Sequence, residues 1–295
     1  MMRFAPLQAG GQTRDFKNEI DIVHHIGNRH SLELPFVGEV QLPHFPPIHL
    51  GGLTLDLSPT KHLVFMLAAA IVVALVFVLS ARSIARAQAQ GQPAKGFAGA
   101  MEATALWIRQ EVVLPNVGPH GEGYSPYLLT LFFFILAMNL LGLLPWGATA
   151  TGNIAVTAGL ALMAFIVVEV TGMLTLGPKG YLSTIFYLPH GLPGGVGGAI
   201  LKVVLLVVLT PIELIGKLAK PFALAVRLFA NMTSGHVLVL ALIGLTFLFK
   251  SYSVGLAASA LATGVMVLEL FVAFLQAFVF TLLTAVFIGL MRAEH

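Results

Sequence analysis

Residues 200–249 read ILKVVLLVVLTPIELIGKLAKPFALAVRLFANMTSGHVLVLALIGLTFLF and carry only scattered charges. A second apolar segment, residues 253–291, follows a short polar stretch. A continuous helix of 39 residues is about 58 Å long, whereas the hydrocarbon core of a bilayer is about 30 Å thick. The two helices are therefore either broken, with Pro211 and Pro221 allowing bends in the first, or they lie unusually flat.

The composition is that of an integral membrane protein. The chain is 57% hydrophobic and 10% charged, whereas soluble domains carry about 25% charged residues. Its net charge of +3 is dispersed, which leaves no basic patch for nucleic-acid binding. Because the chain has no cysteine, disulfides, thiolate metal sites and covalent haem attachment are excluded.

Three shorter apolar segments complete the predicted fold, an all-α polytopic membrane protein with five crossings. These segments cover residues 62–80, 124–144 and 154–176. Residues 97–113 are only moderately apolar, so we interpret them as an amphipathic helix on the membrane surface. The last two segments are joined by a short polar turn, which predicts a long, steeply tilted antiparallel hairpin of residues 200–249 and 253–291.

Charges outside these segments predict the orientation. Arg82, Arg86 and Lys95 follow the first crossing in a Gln-rich loop, and an excess of positive charge is typical of cytoplasmic loops. The N-terminal tail, residues 1–61, is then extracytoplasmic. The membrane domain is residues 62–295, with a cytoplasmic loop and surface helix at 81–123 and a cytoplasmic C-terminus.

The tail carries charges of both signs, and Pro43, Pro46 and Pro47 predict extended or irregular chain at its end. Its histidines match no recognised metal-ligand spacing, and we interpret them as solvated; they are His24, His25, His30, His44 and His49. We therefore expect no metal site and no cofactor.

Polar residues inside the hairpin fall into register. In an antiparallel hairpin, residues at one level have a constant sum of residue numbers. Arg227 and Gln276 sum to 503, and His236 and Glu269 sum to 505, so both pairs predict a turn near residue 252. The two levels are about 13 Å apart along one helix. Arg227 and Asn231 share a face, whereas His236 lies about half a turn away from Arg227.

Arg227 cannot lose its proton, and a charge at the bilayer centre costs about 3 kcal/mol. An intramembrane charge therefore indicates a functional pathway by default. For other polar residues a structural interpretation stays open. Asn139 is either a satisfied interhelical contact or part of a channel, and Glu169 either faces a water-filled cavity or lies near the inner interface. Glu213 is one partner for Lys217 at i,i+4, and Lys217 could instead extend to the interface.

At these residues the chain resembles subunit a of bacterial F-type ATP synthases. The resemblance rests on Arg227-Leu228-Phe229-Ala230-Asn231-Met232, on the spacing of this motif to Glu213, and on Gln276 in the next helix. Met138-Asn139-Leu140 and Leu143-Leu144-Pro145 also fit. The resemblance runs from about His62 to the C-terminus, and the tail looks lineage-specific.

The resemblance implies a stator subunit of the bacterial plasma (inner) membrane, without catalytic chemistry of its own. In this family the last two helices face a rotating ring of c subunits, and protons use two aqueous half-channels separated by the arginine that Arg227 matches. Positions matching His236 and Glu269 line the outer route, and Gln276 matches a partner of the arginine. The implied partners are the c-ring, peripheral-stalk subunit b, other synthase subunits and membrane lipid.

One departure from the family pattern concerns the outer route. Some members carry a carboxylate where His236 stands and a histidine where Glu269 stands, so the two residue types are exchanged here. Since both positions fall at one level of the predicted hairpin, the exchange keeps one acid and one imidazole at the same place. We therefore expect the two to act as a pair.

Two other functions fit the sequence less well. A stand-alone ion-coupled secondary transporter is expected to show an internal repeat, which the two halves of the sequence lack. An intramembrane hydrolase needs a metal motif or a nucleophile with a base. Ser234 lies two residues from His236, but the sequence offers no oriented third partner. The choice between protons and sodium ions stays open, with His236 favouring protons.

Overall fold

The computed structural model describes residues 31–34, 38–43, 45, 48–50, 53–55, 58–119, 121–144, 149–186, 196–249 and 251–293. Seven α-helices lie in the described residues: α1 Lys61–Ala89, α2 Gly96–Trp107, α3 Leu114–Val117, α4 Ser125–Gly142, α5 Ile154–Ile185, α6 Val196–Phe249 and α7 Tyr252–Ala293. A π-helical turn, Ile108–Val113, joins α2 to α3, and two 3₁₀ turns, Gly121–Tyr124 and Ala150–Gly152, precede α4 and α5.

Five of these helices are long and apolar enough to cross a membrane, as the sequence predicted. They are α1, α4 together with the 3₁₀ turn before it, α5, α6 and α7. The all-α polytopic fold is thus confirmed. Segment 97–113 is not among the five. Its apolar residues Ile108, Val112 and Val113 are buried, and the Trp107 ring stacks on Phe278 of α7 with centroids 5.7 Å apart.

The described part of the tail contains four short strands that the sequence analysis did not predict. They are β1 Ser31–Leu34, β2 Gly38–Gln41, β3 Ile48–Leu50 and β4 Leu53–Leu55, paired as two antiparallel hairpins. Strands of three or four residues are too short to give a clear alternating pattern. His49 lies in β3, whereas His24, His25, His30, His44, Pro46 and Pro47 lie outside the described residues.

Two helices continue past the ends of their predicted crossings. Helix α1 does not end near Ser80 but continues to Ala89, so Arg82 and Arg86 lie on the helix and not in a loop. Residues 81–89 are mostly alanine, arginine and glutamine, which favour helix without being apolar. Hydropathy marks where a crossing ends, and it does not mark where the helix ends.

Helix α5 also extends past its predicted crossing, from residue 176 to Ile185, but with a kink. Gly177 has φ 70° and ψ 167°, and Pro178 follows it. Few residues other than glycine adopt this positive φ readily. The described helix therefore changes direction directly after the predicted crossing, and residues 178–185 form a separate helical arm.

Helices α6 and α7 form the predicted antiparallel hairpin. Gly235 of α6 packs against Glu269 of α7, and Gly255 of α7 against Thr246 of α6. These contacts give sums of 504 and 501, which agrees with the predicted register. Helix α6 is one helix of 54 residues despite Pro211 and Pro221. At about 81 Å it cannot lie along the membrane normal within a core of about 30 Å, which agrees with a steep tilt.

The apolar core lies mainly where α4, α7 and the π-helical turn meet, with Phe132, Ile135, Phe280, Ile288 and Ile108 almost fully buried. The ends of the helices form two separate sets. At one end His62 Nδ1 lies 3.1 Å from the Thr149 carbonyl oxygen. At the other end Arg292 donates to the carbonyl oxygens of Val117 and Pro119, at 2.9 and 2.6 Å. The start of α1 thus contacts the chain just before α5, and the end of α7 contacts the chain just before α4. This grouping of helix ends agrees with a chain that crosses the membrane repeatedly.

Candidate functional site

Arg227 lies on the open face of the hairpin. Helix α6 buries Leu224, Ala225, Leu228 and Met232 against the rest of the chain. Their spacing defines one helix face, and Arg227 is exposed on another. Arg227 makes no hydrogen bond or ion pair with any residue that the structure describes. A cation in an apolar segment that has no partner among the described residues is available to a partner from another chain.

Two other predicted residues share this exposure. Asn231, one turn beyond Arg227, and Glu213, fourteen residues before it, are both exposed. No described residue forms an ion pair with Glu213. The i,i+4 pair between Glu213 and Lys217 is therefore wrong for the described structure.

Gln276 lies at the level of Arg227, but in a different environment. The Gln276 side chain is 3% exposed among the core residues of α7, whereas Arg227 is exposed. The described residues include no hydrogen bond between the two side chains. Their pairing stays a prediction, although the hairpin register that suggested it is confirmed.

Glu269 of α7 is packed against α6 at Gly235, next to His236. A Cβ atom added to Gly235 would overlap the Glu269 carboxylate, so the carboxylate occupies space that only glycine leaves free. Glu269 Oε1 is buried and has no hydrogen-bond partner among the described residues. His236 is half-buried and has interactions of its own. We call Gly235, His236 and Glu269 the Glu269 cluster.

Gly235 was not predicted as a site residue. Helix α6 runs through it without interruption. The available signal was that residue 235 faces residue 269 in the predicted register. A glycine opposite a glutamate in a packed hairpin indicates space for the larger side chain.

Asn139 is fully buried at the end of α4, and both its amide nitrogen and its amide oxygen form hydrogen bonds. Its Nδ2 donates to the Ala273 carbonyl oxygen of α7 at 3.3 Å. Its Oδ1 accepts from the Thr151 hydroxyl at 2.8 Å. Of the two interpretations left open for Asn139, these bonds favour the interhelical contact.

Glu169 belongs to a second polar cluster, between α5 and α6. Lys217 Nζ lies 3.8 Å from Glu169 Oε2 and donates to the Thr184 hydroxyl at 3.1 Å. The Tyr181 hydroxyl donates to the same Glu169 oxygen, and Lys217 Nζ lies 4.6 Å from the centroid of the Tyr181 ring. We call Glu169, Tyr181, Thr184 and Lys217 the Glu169 cluster.

Lys217 does not extend to a membrane interface, because its side chain is only 5% exposed and that of Glu169 14%. Both residues line a cavity of about 30 Å³ between α5, α6 and α7. A cavity of that volume has room for one or two water molecules. It is lined further by Lys220, Leu224, Thr284 and Met291. For Glu169, the structure thus favours the cavity over the interface.

Two other site types find no support among the described residues. No group of three or more His, Asp or Glu side chains there could hold a metal ion. The Ser234 hydroxyl donates to the Asn231 carbonyl oxygen of its own helix at 3.1 Å. That bond occupies the hydroxyl proton that a neighbouring base would need to remove.

Comparison with known proteins identifies the family. The family model described as ATP synthase A chain matches residues 63–289, close to the range that the resemblance covered. ATP synthase subunit a 2 of Chlorobaculum tepidum is 43% identical over 274 residues, 92% of this chain and 73% of the relative. ATP synthase subunit a of Myxococcus xanthus is 43% identical over 238 residues, 80% of this chain and 73% of the relative.

A third relative extends the comparison into the tail. ATP synthase subunit a of Chlorobium phaeobacteroides is 43% identical over 291 residues, which cover 98% of this chain and 79% of the relative. The aligned residues thus include most of the tail, although the family model begins after it. With the family match and five membrane-crossing helices, the chain belongs to the ATP synthase subunit a family, as a multi-pass protein of the bacterial plasma membrane.

Proposed function

We propose that this chain is the stator subunit of the membrane motor of an F-type ATP synthase. It supplies two proton half-channels and the arginine that faces the rotating c-ring, and so couples proton flow to ATP synthesis. Its partners are the c-ring, peripheral-stalk subunit b and the other synthase subunits. The chain itself carries out no bond chemistry, which takes place elsewhere in the complex.

The observation that carries this proposal is the position of Arg227 between two carboxylate clusters. His236 follows Arg227 by nine residues along α6, and Lys217 precedes it by ten. At 1.5 Å per residue, the Glu269 cluster lies about 13 Å to one side of Arg227 and the Glu169 cluster about 15 Å to the other. Two separated polar sites, with a fixed cation between them, are what two half-channels and a barrier require.

Arg227 suits the barrier chemically. Its guanidinium stays protonated under all relevant conditions, so it repels protons moving directly from one cluster to the other. It attracts a carboxylate on the ring and favours its ionised form as the carboxylate passes. The exposure of Arg227 and its lack of a recorded partner in the described chain support an intermolecular partner.

On the other side of the barrier, His236 and Glu269 form the entry site from the extracytoplasmic side. A histidine side chain can relay protons, and Glu269 Oε1 is buried beside it with no hydrogen-bond partner among the described residues. The membrane potential supplies about 2.3 kcal/mol per elementary charge for each 100 mV. The positive charges that follow the first crossing place the N-terminus outside and the C-terminus in the cytoplasm. The contacts of His62 and Arg292 with different groups of helix ends support termini on opposite sides.

The test is Arg227→Ala in the complete complex. We expect coupled ATP synthesis and ATP-driven proton pumping to be lost, because the barrier and the attraction for the ring carboxylate disappear together. Lys202→Ala is the matched control, since Lys202 is an exposed cation on the same helix and outside both clusters. Coupled synthesis retained in Arg227→Ala membranes would contradict the proposal.

A second measurement separates a stator from a stand-alone transporter. The chain is purified in mild detergent and its partners are identified. A stator subunit co-purifies with c subunits in fixed ratio, whereas a transporter is obtained without them. Recovery of a monodisperse chain that transports ions in the absence of any ring would favour the transporter.

A further inference from the structure

We infer that the Glu169 cluster is the proton-exchange site of the half-channel at the C-terminal end of the hairpin, with Glu169 as the exchanging carboxylate and Tyr181 and Lys217 as its positioning residues. This inference rests on the proposed function and adds to it a specific site on the cytoplasmic side. Neither Lys217 nor Tyr181 was given a proton-related role by the sequence.

The backbone brings Tyr181 to Glu169 in an unusual way. Twelve residues of continuous helix would separate them by about 18 Å along the axis, too far for their side chains to meet. The kink at Gly177 turns residues 178–185 back toward the helix they leave. A Cβ atom on Gly172 would lie 3.4 Å from Tyr181 Cδ2, so the ring packs against the earlier part of α5. The positive φ of Gly177 thus allows the phenol to reach the carboxylate.

The bonding of Glu169 leaves one oxygen available. Tyr181 and Lys217 both approach Oε2, and no described residue hydrogen-bonds Oε1. Glu169 also lines the cavity of about 30 Å³, which has room for one or two water molecules. One oxygen is therefore held in place by protein groups while the other can exchange a proton with water in the cavity.

The cavity extends along the buried face of α6 as far as Leu224. Pro221 and Leu224 line it, and Leu224 is three residues, or about 4.5 Å along the axis, from Arg227. The charged and titratable groups around Glu169 are Tyr181 on α5 and Lys217 and Lys220 on α6, while α7 contributes Thr284. The Lys220 ammonium lies 5.2 Å from the Phe287 ring centroid, at the edge of the same cavity.

The energetics argue against a purely structural pair. Removing two charges from water is expensive, and apolar residues of similar volume often replace a buried ion pair without loss of stability. A clamp between α5 and α6 therefore does not require charged side chains. A cation and a phenol around one carboxylate oxygen instead suit a site that must hold the carboxylate in a fixed orientation.

The proton transfer balances without any other reactant. The ionised Glu169 carboxylate accepts a proton from a hydronium ion in the cavity, which leaves a neutral carboxylic acid and a water molecule. The acid then returns the proton to a second water molecule toward the cytoplasm, and the carboxylate is restored. Tyr181 and Lys217 take no part in the transfer and hold the carboxylate in position.

The test assembles the complete complex in membrane vesicles and then removes its soluble catalytic part. A potassium diffusion potential drives protons through the membrane part that remains. The main variant is Glu169→Gln with Lys217→Gln, which keeps size and hydrogen bonding but removes both charges. We expect normal amounts of assembled complex and at least about tenfold slower conduction, since general acid–base groups contribute at least that much. Glu169→Asp should retain part of the conduction, because the carboxylate is kept.

Parental conduction in the double glutamine variant would overturn the inference and make the cluster a structural clamp. If that variant does not accumulate, Tyr181→Phe decides, because it removes only one hydroxyl. Slower conduction with normal assembly then supports the inference, and unchanged conduction rejects it. Coupled ATP synthesis retained in Arg227→Ala membranes would instead contradict the proposed function, so the two failures are distinguishable.

Discussion

The two clusters on either side of Arg227 differ in the hydrogen-bond partners of their carboxylates. In the Glu269 cluster, Oε1 is buried against Gly235 without a hydrogen-bond partner among the described residues. In the Glu169 cluster, one oxygen accepts from a tyrosine hydroxyl and pairs with a buried lysine. The first carboxylate is closely packed and has no hydrogen-bond partner among the described residues, whereas the second has fixed partners beside a small cavity.

This difference has an energetic meaning. An unsatisfied buried acceptor costs about 1–3 kcal/mol, which a protein tolerates where a mobile partner arrives during function. Burying a carboxylate and a cation together carries a desolvation penalty, and removing one of the two destabilises the fold strongly because the other charge stays buried without a partner. Substitutions at Glu269 should therefore affect function more than stability, whereas single substitutions at Lys217 should affect both.

The largest expected effect among tests of this comparison is that of Glu269→Gln. We expect ATP-driven proton pumping to fall at least about tenfold, because a proton-exchanging group is removed. The amount of assembled complex should stay near the parental amount, since the carboxylate oxygen has no described partner to lose. Pumping and complex content are measured in the same vesicles.

The control is Glu102→Gln on α2, which makes the same chemical change outside the hairpin. It should leave pumping unchanged. A Glu269→Gln variant that pumps at the parental rate would remove Glu269 from the proton route.

A second test asks whether His236 and Glu269 act together. The double variant His236→Glu with Glu269→His places the carboxylate on α6 and the imidazole on α7. We expect it to pump protons faster than either single variant. The physical reason is that residues 235 and 269 are in contact, so residues 236 and 269 share one level of the hairpin. A double variant slower than both singles would show that the residues act separately.

A smaller effect is expected from Gly235→Ala. The new methyl group would meet the Glu269 carboxylate and push it from its place, so proton pumping should fall by several-fold, with part of the loss in complex stability. Gly159→Ala on α5 is the matched control, because a Cβ atom there meets nothing within 4 Å. Equal pumping in the two variants would mean that the position of the carboxylate is not critical.

The smallest functional effect is expected from Asn139→Ala, which should act on stability alone. The change breaks the bonds to Ala273 and Thr151 and leaves buried groups unsatisfied, at a cost of about 1–3 kcal/mol. Thermal unfolding of the purified complex measures this loss, and pumping per assembled complex should stay unchanged. Thr130→Ala, on the exposed side of α4, should change stability by no more than about 0.5 kcal/mol.

A specific pumping defect in Asn139→Ala, with normal thermal stability, would return Asn139 to the proton route. The bonds of Asn139 at the end of α4 would then no longer differ in role from the two clusters along α6, because all three would belong to the proton route.

The sequence alone determined the number of crossings and the register of the hairpin. Segment length and hydropathy are local properties, and they predicted five helices of sufficient length. The register followed because two helices joined by a short turn can meet in few ways. The sums of 503 and 505 were predicted, and the Gly235–Glu269 contact gives 504. The arginine motif then indicated the family, which the comparisons confirm.

Only the tertiary structure decided which polar groups meet. Lys217 has Glu213 four residues away, yet its ammonium lies beside Glu169 of another helix. Glu169 and Tyr181 meet because Gly177 reverses the course of α5. Such partners depend on helix rotation and on one positive φ angle, and neither leaves a periodic signal in the sequence. Local pattern fixes which segments lie in the membrane, whereas the packing of helices fixes which charges share a cavity.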